Sequence, residues 1–123
     1  MRIGIDIQDV ARIQTCIGTE RMQKFFTDRE IEYVQRKNWA ADSLAGFFCA
    51  KEAFFKAIGT GLLFERFHDV EIKHDSRGAP FYHLSSRLIQ EQRLHTSKIH
   101  LSISHTKDIA VAVCIVVHFD AYI

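Results

Sequence analysis

Alternation between apolar and polar residues opens the chain and predicts a short first strand. Isoleucines stand at every second position from Ile3 to Ile7, separated by Gly4 and Asp6. Because successive side chains of a strand point to opposite faces, this spacing indicates a strand whose isoleucines lie on the core. Helical spacing then replaces the alternation from Asp9 to about Cys16.

A second helix is predicted from Thr27 to Lys37. Thr27 followed three residues later by Glu30 is the signature of a capping box, in which each side chain bonds the other residue's backbone N–H. Ile31 and Val34 supply an apolar stripe. The pattern therefore predicts a helix that packs one side on the core.

The third predicted helix is apolar or small on nearly every side, which is typical of a buried helix. Asp42 or Ser43 is expected to cap its N-terminus, and the helix is expected to end at Gly59 and Gly61. A buried charge is costly unless it is paired or binds an ion, and this helix carries several charges. Those charged residues are Lys51, Glu52 and Lys56.

The second half of the chain has the spacing of strands. Val70 and Ile72 predict a strand that turns at residues 76–78 and returns from Phe81 to Leu84. A further strand is predicted from Ile99 to Ile103, where apolar residues again alternate with polar ones.

An unbroken apolar run, Ile109 to Val117, follows a loop from His105 to Asp108. Because this run has no polar face, we expect it to be buried on both sides, inside the domain or against another subunit. Together the elements predict an α+β fold, with a mostly antiparallel sheet packed on one long buried helix.

Composition limits the class of protein. The 123 residues, 47% hydrophobic and 25% charged, suit a single domain spanning 1–123 and exclude a disordered chain. A net charge of +1 predicts no general attraction to nucleic acid or to an acidic membrane. The apolar runs are too short for a membrane span, and the first residues do not resemble a signal peptide. Three cysteines without metal-ligand spacing fit a reducing cytoplasm.

Glu52 and Lys56 are four residues apart on one face of the third helix, with the glutamate on the N-terminal side. That spacing is typical of an ordinary ion pair on a helix. The pair does not account for Lys51, which lies about 140° around the helix from Lys56. A second interpretation, in which these charges serve a binding site, therefore stays open.

Asp6 lies in a strand of isoleucines, where aspartate is disfavoured. Either it faces solvent or caps the helix that begins near Asp9, or it is a ligand of a hard cation. Proteins usually hold Mg²⁺ with one or two carboxylates, completed by waters and substrate phosphates. Asp6 and Glu52 are the candidate pair of ligands.

Two polar clusters are candidate binding loops. Gly59, Thr60 and Gly61 form either a simple helix C-cap or a place where the backbone approaches a phosphate or a base closely. A second cluster stands where the strand from Ile99 enters its turn, and ordinary turn chemistry also explains it. The sequence contains no nucleophile elbow, P-loop or dinucleotide-binding glycine motif. The second cluster consists of Ser102, Ser104, His105 and Thr106.

In their order and separation, these segments resemble the 4′-phosphopantetheinyl transferases, and most closely the short holo-acyl-carrier-protein synthases. The central block from Ala50 to Gly61 contains lysine, glutamate and alanine in succession and ends in Gly-Thr-Gly, which is quite specific. The resemblance covers nearly the whole chain. The weaker matching stretches are Gly4 to Ile7, Gly78 to Pro80 and Leu101 to Thr106.

The resemblance implies transfer of the phosphopantetheine arm of coenzyme A to a serine of an apo acyl carrier protein, with release of adenosine 3′,5′-bisphosphate. It also implies Mg²⁺, a cytoplasmic role in fatty acid or other lipid biosynthesis, and a homotrimer with active sites at subunit interfaces. The apolar run from Ile109 to Val117 suits a trimer core.

By motif position, the resemblance makes Asp6 and Glu52 the metal ligands and places Lys56 on the pyrophosphate or the leaving group. The proton of the carrier serine has three candidate acceptors: Glu52, a metal-bound water or His105. The carboxylate or its bound water is preferred. The candidates to hold coenzyme A are Lys51, Lys56, Gly59, Thr60, Gly61, Ser104, His105 and Thr106.

One position departs from the family pattern. The family usually has a basic residue before the aromatic residue in the first part of the third helix, where this chain has Phe47 followed by Phe48. The missing charge removes a potential phosphate contact, which a Lys or Arg from elsewhere would have to replace. It leaves open a trimeric carrier-binding module with weakened catalysis. A third hypothesis is an unrelated small Mg²⁺-dependent hydrolase.

Because carrier proteins are acidic, we expect the docking surface of this chain to be basic with an apolar centre. Residues on or just after the first helix supply that combination, although a solvated helix face balanced by neighbouring acids explains them equally well. The candidate docking residues are Arg12, Arg21, Lys24 and Phe25.

Overall fold

A three-stranded antiparallel sheet forms one layer of the molecule, in the order β1 (Arg2–Asp9), β5 (Ile109–His118) and β4 (Ser97–His105). In the computed structural model, which describes residues 1–61 and 63–119, one face of this sheet packs on α4 (Ala41–Ile58). The predicted α+β fold with antiparallel pairing is confirmed.

A second, two-stranded antiparallel sheet and several short helices surround the other sides of α4. The hairpin pairs β2 (Val70–His74) with β3 (Pro80–Leu84), as predicted. Within the described ranges, no helix has both the length and the apolar character that a membrane span requires. The other helices are α1 (Val10–Gln14), α2 (Glu20–Phe25), α3 (Asp28–Arg36), a 3₁₀ helix (Phe64–Asp69) and α5 (Ser86–Glu91).

Helix α4 is buried along most of its 18 residues, as its apolar pattern predicts. Its N-cap is Ala40, so the predicted cap at Asp42 or Ser43 is two or three residues too late. The Asp42 carboxylate instead accepts a hydrogen bond from the backbone N–H of its neighbour Ser43, at 2.8 Å. The C-cap is Gly59 as predicted, with φ of 78° in the left-handed region that favours glycine.

Strand β1 faces the opposite way from the prediction. Its isoleucines are about 60% exposed, whereas Gly4 and Asp6 are buried against α4. Backbone proximity explains the reversal, because a Cβ added at Gly4 would lie 1.9 Å from the carbonyl oxygen of Ala53 and 2.7 Å from the backbone nitrogen of Ala57. Only a residue without a side chain fits there, so the isoleucines must occupy the other face of the strand.

Strand β5 is buried on one side only within the chain. Ala110, Ala112, Cys114 and Val116 are buried, while the intervening residues are partly exposed. The latter pair across the sheet with the isoleucines of β1, which together form an outer apolar face. This face comprises Ile3, Ile5, Ile7, Val111, Val113 and Ile115.

The contact at Gly4 predicts a strong effect of a single methyl group. Gly4→Ala should lower the free energy of unfolding by about 3 kcal/mol or more, because the new Cβ meets rigid backbone atoms. Urea denaturation measures the loss. Gly46→Ala is the matched control, because its Cβ would meet only the Ile103 side chain, at 2.9 Å. Equal stability of Gly4→Ala and the unmodified chain would contradict this packing.

Candidate active site

Asp6 of β1 and Glu52 of α4 lie together in the structure. Asp6 shares the inward face of β1 with Gly4, and Glu52 directly precedes Ala53, which Gly4 contacts. Both residues are buried: Asp6 is 6% exposed and Glu52 is 8% exposed. Between them, Nε2 of Gln8 donates to Oδ2 of Asp6 at 3.0 Å and to Oε2 of Glu52 at 3.2 Å.

The environment of Glu52 perturbs the ionisation of its carboxyl group. Burial, reinforced by the hydrogen bond and charge of Asp6, raises the pKa of Glu52 to about 7, against the opposing effects of Lys56 and Gln8. Beneath the pair, burial and the charge of Asp6 raise the pKa of the Cys49 thiol, which donates to the carbonyl of Ala110 at 3.3 Å. Glu52 therefore holds its proton more readily than an exposed glutamate does.

Lys56 is the cation of this site, but its partner is not the expected one. Its Nζ donates to Oδ1 of Asp6 at 3.1 Å and to the backbone carbonyl of Ile5 at 3.0 Å. The side chain is 51% exposed, so the expectation of three buried charges in the helix is wrong for Lys56. Two of the three ammonium N–H groups thus bind the protein, and the side chain reaches solvent beside the carboxylates.

A cavity of about 240 Å³ opens beside Glu52 and Gln8. Its lining includes three of the four candidate docking residues, Arg12, Arg21 and Phe25. Arg12 belongs to α1, while the other docking residues lie on α2, a helix that sequence reasoning missed because six residues show too little periodicity. The fourth, Lys24, is exposed on α2 outside the cavity.

Lys51 does not face this site, although the resemblance makes it a candidate to hold coenzyme A. Its fully buried ammonium binds Oε1 of Glu30 at 2.9 Å and the backbone carbonyls of Phe67 and Val70 at 2.8 and 2.7 Å. Burial lowers the pKa of Lys51, and the Glu30 carboxylate opposes that shift. All three N–H groups are used, so none remains for a ligand.

Glu30 is the ion-pair partner of Lys51. The sequence pattern indicated Glu30 only as part of a capping box. The capping box is present, with the Thr27 N–H donating to Oε1 at 2.8 Å, and the backbone N–H of Ile72 donates to Oε2 at 2.8 Å. One carboxylate therefore ties α3, α4 and β2 together.

The two predicted coenzyme A loops lie at opposite ends of α4. Residues 59–61 follow its C-terminus, whereas Nδ1 of His105 lies 3.4 Å from Oδ2 of Asp42 in its first turn. At 1.5 Å per residue, the 17 residues from Asp42 to Gly59 span about 25 Å. The same rise puts the Asp42 turn about 15 Å from Glu52. Within one chain, therefore, residues 59–61 do not lie next to His105, and neither do the two carboxylates.

A second cavity, of about 200 Å³, adjoins His105. Phe47, the residue that departs from the family pattern, lines it together with Lys37 and His74. The ring of His74 stacks on Tyr33 at a centroid distance of 4.2 Å, and burial, with the nearby charge of Lys37, lowers the pKa of His74. A lysine thus lies in the cavity where the charge of an arginine at position 47 is missing.

Comparison with known proteins identifies the family. Residues 2–114 match the profile of the 4′-phosphopantetheinyl transferase superfamily. A holo-[acyl-carrier-protein] synthase of Clostridium tetani is 39% identical over 117 residues, which cover 93% of this chain and 93% of that protein. The chain belongs to the holo-[acyl-carrier-protein] synthases of this superfamily. The resemblance predicted from the sequence motifs is therefore confirmed, and the chain is an enzyme of that type.

Solved structures of such synthases share the fold. One, from Bacillus anthracis in complex with CoA (3′,5′-ADP), has a TM-score of 0.79 at 34% identity, covering 97% of this chain and 96% of that chain. Another, from Helicobacter pylori in complex with coenzyme A, has a TM-score of 0.77 at 32% identity, covering 93% and 98%.

The buried contacts of Lys51 predict that its replacement lowers the stability of the fold rather than the affinity for coenzyme A. Lys51→Met should lower the free energy of unfolding by about 3–5 kcal/mol, because it leaves the Glu30 carboxylate buried without its cation. Chemical denaturation measures this. Lys107→Met, at an exposed loop position, should change stability by no more than about 0.5 kcal/mol. Unchanged stability with weakened coenzyme A binding would restore the original assignment.

Proposed function

We propose that this synthase transfers the 4′-phosphopantetheine arm of coenzyme A to a serine of an apo acyl carrier protein and releases adenosine 3′,5′-bisphosphate. The convergence of two buried carboxylates, from β1 and α4, beside a half-exposed lysine carries this proposal. The coenzyme A complexes of the two structural relatives support coenzyme A as the substrate.

The donor set at Asp6 and Glu52 fits Mg²⁺. Within the described residues, no group of three or more His, Cys, Asp or Glu side chains forms a closed metal cage. Two carboxylates beside an open cavity instead match the preference of Mg²⁺ for a few protein oxygens, with waters and substrate phosphates completing the octahedron. When bound there, Mg²⁺ would act as a Lewis acid and template for the diphosphate.

Glu52 and Lys56 have different roles in the proposed transfer. The serine Oγ forms a bond to the β-phosphorus as the bond from that phosphorus to the bridging oxygen breaks, and the serine proton passes to Glu52. Glu52 lines the cavity at this site, so its carboxylate, or a water bound to it, can accept the proton there. The remaining N–H of Lys56 would stabilise the charge that develops on the leaving oxygen.

Within one chain, Glu52 is better placed than His105 to accept the proton. His105 pairs with Asp42 in the first turn of α4, about 15 Å along the helix from Glu52. His105 is better suited to bind phosphate, together with Lys37 in the cavity of about 200 Å³. In this proposal Lys37 supplies the charge that Phe47 does not, and Ser104 and Thr106 support the same anion.

A homotrimer would resolve the separation of the two loops. Residues 59–61 and residues 104–106 can hold one coenzyme A only if they come from different subunits, because α4 holds them about 25 Å apart in one chain. The outer apolar face of β1 and β5 supports such an assembly, since a patch of exposed isoleucines and valines is typical of a subunit interface.

The cavity beside Glu52 would receive the carrier serine. Arg12 and Arg21 line it, and Lys24 lies close along the same helix as Arg21. These cations suit an acidic carrier protein, and Phe25 offers an apolar contact. The carboxylate pair is thus reached from the side that bears the docking residues. A cytoplasmic role in fatty acid biosynthesis belongs to the same proposal.

The weakened carrier-binding module remains the second candidate, and Phe47 in the cavity of His105 is the observation that favours it. One assay separates the candidates: incubation with coenzyme A, Mg²⁺ and an apo carrier, followed by mass spectrometry of the carrier. We expect a gain of one phosphopantetheinyl group. Carrier binding without a mass gain would favour the module, and coenzyme A turnover without a carrier would favour a hydrolase.

Two variants test the assignment of the proton acceptor in that assay. Glu52→Gln should lower kcat at least about 100-fold, because it removes both the proton acceptor and a metal ligand. His105→Ala should raise KM for coenzyme A and leave kcat within a few-fold. A large loss of kcat in His105→Ala, with Glu52→Gln still active, would reverse the assignment.

The outer apolar face predicts the oligomeric state. Ile5→Glu should convert the trimer to monomers and abolish coenzyme A binding, because a charge replaces an isoleucine that is 58% exposed at the centre of that face. Sedimentation equilibrium measures the mass. Gln90→Glu, which adds the same charge at an exposed position of α5, is the control and should stay trimeric. A monomeric unmodified chain that binds coenzyme A would contradict the assembly.

A further inference from the structure

Gln8 is the side chain that joins the two carboxylates of the site. It lies two residues after Asp6 on the same face of β1, and its Nε2 donates to both Asp6 and Glu52. The second contact links residues 44 positions apart in the chain. Hydrogen bonds to ionised acceptors are the strong ones, so this carboxamide offsets part of the repulsion between the carboxylates.

The carboxamide and a divalent ion compete for the same oxygens. Lys56 already binds Oδ1 of Asp6, and the other oxygen, Oδ2, accepts from Gln8. An ion shared by both carboxylates needs an oxygen from each. An N–H donor cannot face a cation at the same place, because its hydrogen is the positive end of the dipole.

We propose that Gln8 is a positioning residue that holds Asp6 and Glu52 together in the absence of the ion and must release them for the ion to bind. This inference rests on the proposed metal site. Gln8 thereby keeps the site assembled between turnovers and lowers its intrinsic affinity for the ion. A weakened site favours entry of the ion together with the diphosphate of coenzyme A, whose oxygens supply the missing ligands.

The surroundings of Gln8 allow this movement. Its side chain is half-buried and lines the cavity of about 240 Å³, next to Arg12. The amide can therefore turn into the cavity without moving the backbone of β1, which Gly4 holds against α4.

Gln8→Met tests the proposal, because methionine keeps the length of the side chain and removes the amide. In the full chain at pH 8.5, without coenzyme A, electron paramagnetic resonance of free Mn²⁺ measures ion binding directly. We expect the affinity of Gln8→Met for Mn²⁺ to increase about tenfold or more, because the ion no longer displaces two charge-assisted hydrogen bonds. Gln14→Met, at an exposed position of α1, is the matched control and should bind Mn²⁺ as the unmodified chain does.

Thermal unfolding gives a second readout that is independent of activity. Without a divalent ion, Gln8→Met should unfold at a lower temperature than the unmodified chain, because the carboxylates lose their shared donor. Saturating Mg²⁺ should close that gap or reverse it. Gln14→Met should show neither effect.

The outcomes separate this inference from the metal site itself. An unmodified chain that binds no Mn²⁺ would contradict the site, and the inference with it. Binding by the unmodified chain that is unchanged or weaker in Gln8→Met would leave the site intact and overturn the role of Gln8.

Discussion

The close approach of β1 to α4 is the constraint on which the rest of the structure depends. At Gly4 the strand lies so near the backbone of Ala53 that no side chain fits between them. The alternation of the strand then directs Asp6 towards the helix, next to Glu52. The same contact turns the isoleucines outward. The carboxylate pair and the outer apolar face are therefore the two sides of one strand, fixed by one glycine.

Neighbouring charges on α4 serve different purposes because a helix turns 100° per residue. Lys51 points to Glu30 and to the carbonyls of Phe67 and Val70 at the start of β2, where it joins three parts of the fold in a fully buried pair. Glu52 points to β1 and the open cavity. The buried pair anchors one side of the helix and leaves the other side for chemistry, since the Glu52 carboxyl group, with its raised pKa, is useful only in a fixed position.

Sequence patterns predicted the longer elements, such as α3, α4 and β5, and they marked Asp6 as anomalous among isoleucines. They could not predict the orientation of β1, because backbone proximity rather than hydrophobicity decides it. Nor could they reveal the partners of Gln8 and Glu30, which lie 44 and 42 residues away in the chain. Local patterns carry no information about such contacts, which arise only when the strands and helices pack.

The central claim, that Asp6 and Glu52 hold one divalent ion against a diphosphate, is tested most directly by crystallography with anomalous scattering. Crystals of the full chain grown with Mn²⁺ and coenzyme A would be measured near the manganese edge. The account predicts a single anomalous peak within about 2.0–2.3 Å of an oxygen from each carboxylate and of a phosphate oxygen. A peak bound by only one of the two residues, or located elsewhere, would contradict it.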